Sequence, residues 1–243
     1  LWKRLPRELV GDIGKYLVIF LFMTATIGFV SGFLVADESM LEAYDESFEK
    51  YRIENGNFTL DSQATEEKLS DLGKEGVTIY ENFYLDEPVD VDLDGTSDGT
   101  MRIFKKREEV NLVCLMKGTF PETADEIAID RMYADNNSLA VGDTITVGGK
   151  ELKITGLVAL SDYSALFSDP GDLMFDSVKF GVSVLTPEGF AAFPDTHMKY
   201  CYSWLYEKKP ADDTEEKEMA DDFLELLAAK TDISGYLPIS ESG

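Results

Sequence analysis

Hydrophobic residues are distributed unevenly along this chain, and the longest apolar run lies near its start. Residues 16–35, YLVIFLFMTATIGFVSGFLV, are twenty consecutive positions without a charge. A helix of that length rises about 30 Å, which matches the hydrocarbon core of a bilayer. A buried helix of a soluble protein is usually shorter and carries a polar stripe, whereas this run has only Thr24, Thr26 and Ser31. The pattern predicts a transmembrane helix.

A cleaved signal peptide is a second interpretation of the same run. The run follows a fifteen-residue leader and is longer than the apolar segment of most signal peptides. The tripeptide Leu34-Val35-Ala36 also fits the small-residue cleavage pattern poorly. Retention in the membrane is therefore the favoured interpretation.

Charged residues on either side of the run predict its orientation. Basic residues precede the run and acidic residues follow it at once: Lys3, Arg4, Arg7 and Lys15 before, Asp37 and Glu38 after. Basic flanks of a membrane helix stay in the cytoplasm. We therefore expect residues 1–15 to be a cytoplasmic amphipathic lead-in, residues 16–35 to span the membrane, and residues 36–243 to form an extracytoplasmic domain.

The pattern after the span predicts a helix followed by a β-α-β unit. Apolar residues recur at helical spacing as far as Tyr51, so the membrane helix continues or restarts above the bilayer. A strand around residues 53–60, a short helix over 65–72 with Thr65 as its N-cap, and a strand over 77–84 come next.

The remainder of the chain is rich in strand patterns. Its clearest feature is a hairpin over residues 143–160, whose two-residue loop is Gly148-Gly149. A final amphipathic helix over 214–230 has Asp213 and Glu216 at capping-box spacing. Other strands are predicted over residues 89–93, 101–105, 111–116, 180–185 and 200–206, with a short helix begun by Thr186-Pro187 between the last two. The sum is an α+β fold, with two β-α-β-type halves around a β-rich middle.

The charge of the chain limits the partners of the external domain. Of 22 basic and 47 acidic residues, residues 37–243 hold 18 and 45, a net charge of −27. Such a surface repels nucleic acid and anionic lipid and attracts cations and cationic peptides. Cys114 and Cys201 each lie in an apolar run, which favours free, buried thiols over a disulfide.

One acidic segment resembles a calcium-binding loop. Its residues fit positions 1, 3, 5, 6 and 9 of an EF-hand: Asp90, Asp92, Asp94, Gly95 and Asp98. Position 12, which should be a bidentate Glu, is Met101, and the flanks have the pattern of strands. A polar hairpin turn is the favoured interpretation because Asp and Gly dominate turns. Weak Ca²⁺ binding by the four aspartates is retained as a hypothesis.

Motifs that would indicate an enzyme are missing from the sequence. His197 is the single histidine, which excludes the usual zinc sites, and no Gly-x-Ser-x-Gly elbow accompanies it. The sequence has neither a Walker A motif nor a Gly-rich dinucleotide fingerprint. We therefore expect no catalytic residue and no cofactor in this chain.

Small residues lie together on the predicted membrane helix. Gly28 and Gly32 form a G-x-x-x-G step, with Ser31 beside it. Small residues at this spacing let another helix approach closely, although glycine is also common in membrane helices generally. We predict a helix–helix contact at this step.

The middle of the sequence resembles a known family. Residues 115–167 contain four short motifs, each loose by itself but together in a fairly specific order: Gly118-Thr-Phe-Pro121, Glu126-Ile-Ala-Ile-Asp130, Leu139-Ala-Val-Gly-Asp143 and Ile154-Thr-Gly-Leu-Val158. In this order they resemble the extracytoplasmic domain of FtsX-like permeases, the MacB type of ABC transporter. Residues 7–33 are similar to that family's first membrane helix and its lead-in.

The resemblance implies a permease subunit that couples ATP hydrolysis by a separate ATPase to an external domain. ATP is then bound by the ATPase partner, and other permease helices or a second permease copy pack in the membrane. The external domain would engage a peptide, a lipid or an envelope partner. The sequence begins at Leu1 and has no second apolar span before Gly243, so we expect a fragment of a longer chain. The alternative, from a different class, is a single-pass receptor or sensor with a ligand-binding ectodomain.

Overall fold

The computed structural model describes residues 13–73, 76–163, 166, 176–230 and 233–238. By its internal contacts the chain divides into two compact units, Leu1–Lys50 and Tyr51–Gly243. The elements in chain order are α1 (Ile13–Tyr51), β1 (Gly56–Leu60), α2 (Glu66–Gly73), β2 (Val77–Glu81), β3 (Tyr84–Asp90), β4 (Gly99–Lys105), β5 (Cys114–Gly118), β6 (Glu126–Asp130), α3 (Arg131–Asn136), β7 (Thr144–Val147), β8 (Lys150–Ala159), β9 (Phe180–Leu185), α4 (Pro187–Ala191), β10 (Met198–Tyr206), α5 (Asp213–Lys230) and β11 (Ile233–Pro238).

Helix α1 runs unbroken for 39 residues, and no proline interrupts it. Its segment Ile13–Phe33 is long and apolar enough to cross a membrane, and none of that segment is buried. The sequence predicts that the membrane helix continues or restarts after the apolar run. The structure shows that it continues as one helix to Tyr51. The amphipathic lead-in falls mainly on residues 1–12, which lie outside the described part of the chain.

The second unit contains a layer built from both ends of its chain. Strand β1 pairs antiparallel with β10 and β11, and β2 pairs antiparallel with the other side of β10. Consequently β1 runs parallel to β2 with β10 between them, and β10 runs parallel to β11 with β1 between them. Two split β-α-β units, β1-α2-β2 and β10-α5-β11, therefore interlock as in a ferredoxin-like fold.

An aromatic core holds this layer together. Alternate residues of β1 are buried, which places Phe58 on the face covered by α2 and α5. The Phe58 ring stacks on Tyr202 with centroids 5.4 Å apart, and Trp204 lies 5.0 Å from Phe223 of α5. Leu72 of α2 is also fully buried in this cluster. Burial of these side chains is the main stabilising contribution in the layer.

Between β2 and β10 the chain forms a second body, in which six strands close into a ring. Strand β3 pairs with β4, β4 with β9, β9 with β6, β6 with β8, β8 with β7, and β7 with β3 again. All six strands contribute to one hydrophobic cluster, and β5 pairs with the outer side of β8. The start of β10 pairs with β3, so the two bodies share a continuous sheet.

The α+β class predicted from the sequence is confirmed, and so is the hairpin of β7 and β8. Gly148 and Gly149 have φ of 55° and 78°, the positive values that a tight two-residue hairpin loop needs. The second β-α-β half consists of other elements than those predicted. Strands β3 and β4 lie between β10 and β9 in the sheet, so β9 and β10 are not neighbours. Strand β10 forms its unit with α5 and β11 instead.

The last helix begins at Asp213, so its N-cap is Asp212 and lies one residue before the predicted cap. Asp212 Oδ1 accepts hydrogen bonds from the N–H groups of Thr214 and Glu215. The Glu215 carboxylate, rather than Glu216, accepts from the N–H of Ala211. Asp212 and Asp213 are adjacent and chemically identical, so spacing alone left the choice between them open.

Candidate functional site

The last residue of α1, Tyr51, belongs to the second unit and is held there by residues 106–113. The N–H of Leu112 donates to the carbonyl of Tyr51 at 2.7 Å, and the N–H of Asn111 donates to the carbonyl of Arg52 at 3.0 Å. Carbonyls at a helix end lack partners inside the helix, so this segment satisfies them. The Tyr51 hydroxyl also donates to Cys114 Sγ at 3.1 Å.

Three residues beyond α1, the carboxyl of Glu54 is buried with only 2% of the residue exposed. Its Oε1 accepts from the Asn57 amide at 2.6 Å and its Oε2 from the Asn111 amide at 2.5 Å, while the Glu54 N–H donates to Asn111 Oδ1. Burial, and next the negative charge of Asp162, raise the pKa of Glu54 to about 7. The hydrogen bonds oppose this shift but do not cancel it.

A buried ion pair lies beside Glu54. Arg107 Nη1 is 2.6 Å from Asp162 Oδ1, and the two side chains are only 6% and 8% exposed. The Arg107 guanidinium also lies 4.0 Å from the ring centroid of Phe104. We call Glu54, Arg107, Asn111 and Asp162 the junction cluster, because they lie beside Tyr51 and Arg52, the first residues of the second unit. Sequence reasoning did not identify this cluster.

With a pKa raised to about 7, Glu54 changes its charge near neutral pH beside the Arg107–Asp162 ion pair. Nearby Cys201 is buried, and burial raises the pKa of its thiol to about 12, so it remains protonated and inert. Both cysteines are free, as expected, although Cys114 is only partly buried.

The acidic loop between β3 and β4 brings three of its four predicted ligands together. Oxygens of Asp90, Asp92 and Asp98 lie within 4.8 Å of one another. Asp94 lies outside this group of three, and its Oδ1 accepts from the Thr96 N–H and hydroxyl, which lower the pKa of Asp94.

The same carboxylates also build the turn. Asp90 Oδ2 accepts from the N–H of Gly95 at 2.9 Å, and Asp98 Oδ2 accepts from the N–H of Val91 at 2.8 Å. Met101, at the twelfth position, is fully buried in the core of the ring. These contacts agree with the polar-turn interpretation, and the structure does not test Ca²⁺ binding.

Calorimetry distinguishes the two roles of the acidic loop. If the three carboxylates bind Ca²⁺, we expect heat at millimolar Ca²⁺, the affinity range of weak extracellular sites. Asp92→Asn should then abolish the heat, because Asp92 belongs to the group of three. Asp61→Asn, which changes the same charge at an exposed position, is the control. A titration without heat would mean that the carboxylates do not bind Ca²⁺ and only stabilise the turn.

The glycine step on α1 is open. Gly28, Gly32 and Ser31 lie in the exposed apolar segment, and a Cβ added at either glycine would meet nothing within 4 Å. His197 lies just before β10, half-exposed, with Nδ1 3.0 Å from Glu87 Oε1. This pairing gives the histidine a contact with a buried carboxylate of β3.

Known proteins match this chain only through their structures. No family model matches it, and neither does any curated protein. The periplasmic region of MacB from Actinobacillus actinomycetemcomitans is similar at 11% identity and a TM-score of 0.45, over 81% of this chain and 95% of that one. The extracellular domain of the noncanonic ABC-type transporter YknZ from Gram-positive bacteria is similar at 13% identity and a TM-score of 0.40, over 74% and 96%. Both similar structures are external domains of the transporter type that the sequence resembles, and at these identities the likeness is one of fold.

Proposed function

We propose that this chain is the first membrane helix and extracytoplasmic domain of a permease subunit of an ABC transporter, of the FtsX/MacB type. Helix α1 carries motion driven by ATP hydrolysis in a separate ATPase subunit to a domain that engages a peptide, lipid or envelope partner. The chain itself contributes no catalytic residue and no cofactor. Its task is mechanical coupling.

The unbroken course of α1 is the observation that best supports this proposal. At 1.5 Å per residue, 39 residues measure about 58 Å, roughly twice the hydrocarbon core of a bilayer. No Gly/Ser-rich linker separates α1 from the rest of the chain, and its last residue, Tyr51, is held by backbone hydrogen bonds within the second unit.

Co-purification tests the proposal most directly. We expect the full-length protein, extracted from its own membrane in mild detergent, to carry an ATP-hydrolysing subunit. The receptor alternative instead requires a cytoplasmic output domain and no ATPase. Isolation of the full-length protein without any ATPase would contradict the permease proposal.

The proposed orientation has its own test. A cysteine placed at exposed Glu122 should react with a membrane-impermeant maleimide on intact cells, whereas one at Lys3 should react only after lysis. Partly buried Cys114 is replaced by serine in both variants to remove the background. Labelling with the opposite pattern would place the domain in the cytoplasm.

Leucine at both Gly28 and Gly32 is expected to weaken packing of α1 against other membrane helices while leaving the chain's own fold intact. An added Cβ at these positions meets nothing within 4 Å among the described residues, so we expect any effect on association to report a contact with a partner helix. Energy transfer between labelled chains in micelles measures self-association, and co-purification measures contact with other permease helices. Val30→Leu, on the same segment, is the control. Unchanged association in both assays would remove the predicted role of this step.

A further inference from the structure

A groove of about 510 Å³ opens between α5 and the end of the β2–β10 ladder. Tyr206 and Val77, the last pair of that ladder, form one side of it. Phe223 of α5 closes the bottom and, like Val77, is 3% exposed. Cavities of this size hold a small ligand or a few side chains of a partner. We call this feature the α5 groove.

The inner surface of the α5 groove is apolar and accessible. Met219, Phe223 and Leu226 follow one another at spacings of four and three residues, so they lie on one face of α5. Met219 and Leu226 are half-buried, which leaves part of each side chain open to a partner. Methionine adapts its shape to different apolar groups, which suits a surface for variable side chains.

The rim of the α5 groove is acidic. Asp222 and Glu225 line it from α5, and both are exposed. Helix α5 has seven acidic and two basic residues, and the chain as a whole has a net charge of −25. An apolar floor beneath carboxylates complements a ligand that is apolar and cationic together. Nucleic acid and anionic lipid are repelled by the same charges.

The side-by-side arrangement of floor and rim favours a peptide. A peptide presents apolar and cationic side chains at separate positions, which suits an apolar floor with two carboxylates, Asp222 and Glu225, on its rim. The Tyr206 hydroxyl is buried beside the Trp204 indole, so Tyr206 contributes its ring to the wall of the groove.

We propose that the α5 groove binds a cationic, amphipathic peptide segment. Apolar side chains enter between Met219 and Tyr206, and lysine or arginine side chains pair with Asp222 and Glu225. The inference specifies the external partner of the proposed permease subunit, and it rests on that function only for the position of the domain outside the cytoplasm.

Direct binding tests the inference. The complete chain is placed in phosphatidylcholine nanodiscs and titrated against a fluorescein-labelled 14-residue peptide of leucine and lysine with amphipathic helical spacing. We expect saturable binding above that of empty nanodiscs. Peptides with glutamate in place of lysine, or serine in place of leucine, should lose it. Binding no greater than that of empty nanodiscs overturns the inference.

Paired charge variants locate the site. The double variant Asp222→Asn/Glu225→Gln is expected to weaken binding about fivefold to tenfold, the size of two lost ion pairs near a surface. The variant Glu218→Gln/Asp221→Asn removes the same charge from the same helix outside the groove, and it should change binding less than twofold. Equal weakening by both variants would mean attraction to general charge and would overturn the groove assignment.

A local signal completes the test. With ¹³C-methyl methionine, the Met219 resonance should shift on addition of the peptide, while that of Met132, an exposed methionine of α3, should stay in place. Displacement of the peptide by dodecyltrimethylammonium at equal concentration would overturn the peptide assignment in favour of small cationic amphiphiles. The assay contains no ATPase, so its failure is distinct from failure of the transporter proposal.

Discussion

Replacement of Arg107 by methionine is expected to lower the free energy of unfolding of the domain by about 3–5 kcal/mol. The Arg107–Asp162 pair is 2.6 Å apart and almost fully buried, so loss of the arginine leaves the Asp162 carboxylate buried without its cation. Glu54 loses the same neighbouring positive charge, because Arg107 interacts with both carboxylates. Methionine preserves much of the volume, so the cost is mainly electrostatic.

Urea unfolding followed by tryptophan fluorescence measures this cost. The chain has two tryptophans, and Trp2→Phe leaves fully buried Trp204 as the reporter. Lys208→Met is the control, since it removes the exposed pair between Lys208 and Glu215. Exposed pairs add little to stability, so its unfolding midpoint should stay close to that of the parent.

A double variant separates charge from packing. Arg107→Met combined with Asp162→Leu removes both charges of the pair, and it should recover a substantial part of the stability lost in the single variant. If the double variant is no more stable than Arg107→Met, the loss comes from packing around Phe104, and the electrostatic explanation fails.

The junction cluster shows why the site was harder to predict than the fold. Helix α1 and the β7–β8 hairpin follow from local patterns, namely an uncharged run and a Gly-Gly loop, and both are confirmed. Glu54 meets its partners only through the tertiary structure, because Arg107 and Asp162 are far away in sequence. In the segment Arg52-Ile-Glu54-Asn, a glutamate has the pattern of an exposed strand edge. Nothing local marks it as buried.

Strand partnership was hidden for a related physical reason. A strand's pattern records which face is buried but not which strand lies beside it. The sequence pattern therefore predicts a unit of β9, α4 and β10. The structure has a unit of β10, α5 and β11 instead. The strand β11, ISGYLP, contains glycine and proline, and both weaken a strand pattern. This part of the fold is determined by the pairing of β1 with β10 and β11, which lie after the inserted ring in the sequence. Local propensity does not determine it.

Glutamine at Glu54 is expected to remove a pH-dependent loss of stability from the domain. Because burial raises the pKa of Glu54 from 4.5 to about 7, the folded state binds this proton more tightly than the unfolded state does. The stabilising effect of that proton is complete below pH 4.5, declines between pH 4.5 and 7, and is absent above. A shift of this size corresponds to about 3 kcal/mol. Glutamine is neutral at every pH, so Glu54→Gln should gain about that much relative to wild type between pH 4.5 and 8.

Urea unfolding at a series of pH values measures this gain. The quantity compared is the free energy of unfolding of the variant minus that of the wild type, plotted against pH. Glu126→Gln is a control in which stability should change with pH in the opposite direction. Backbone N–H groups of Glu122 and Thr123 lower the pKa of Glu126. The ionised carboxylate of Glu126 therefore stabilises the folded state at neutral pH, and this stabilisation is lost as the pH falls. A flat difference for Glu54→Gln would mean that Glu54 stays ionised when folded. A rising difference would mean that Glu54 binds a proton near neutral pH in the folded domain, and that this proton stabilises the folded state.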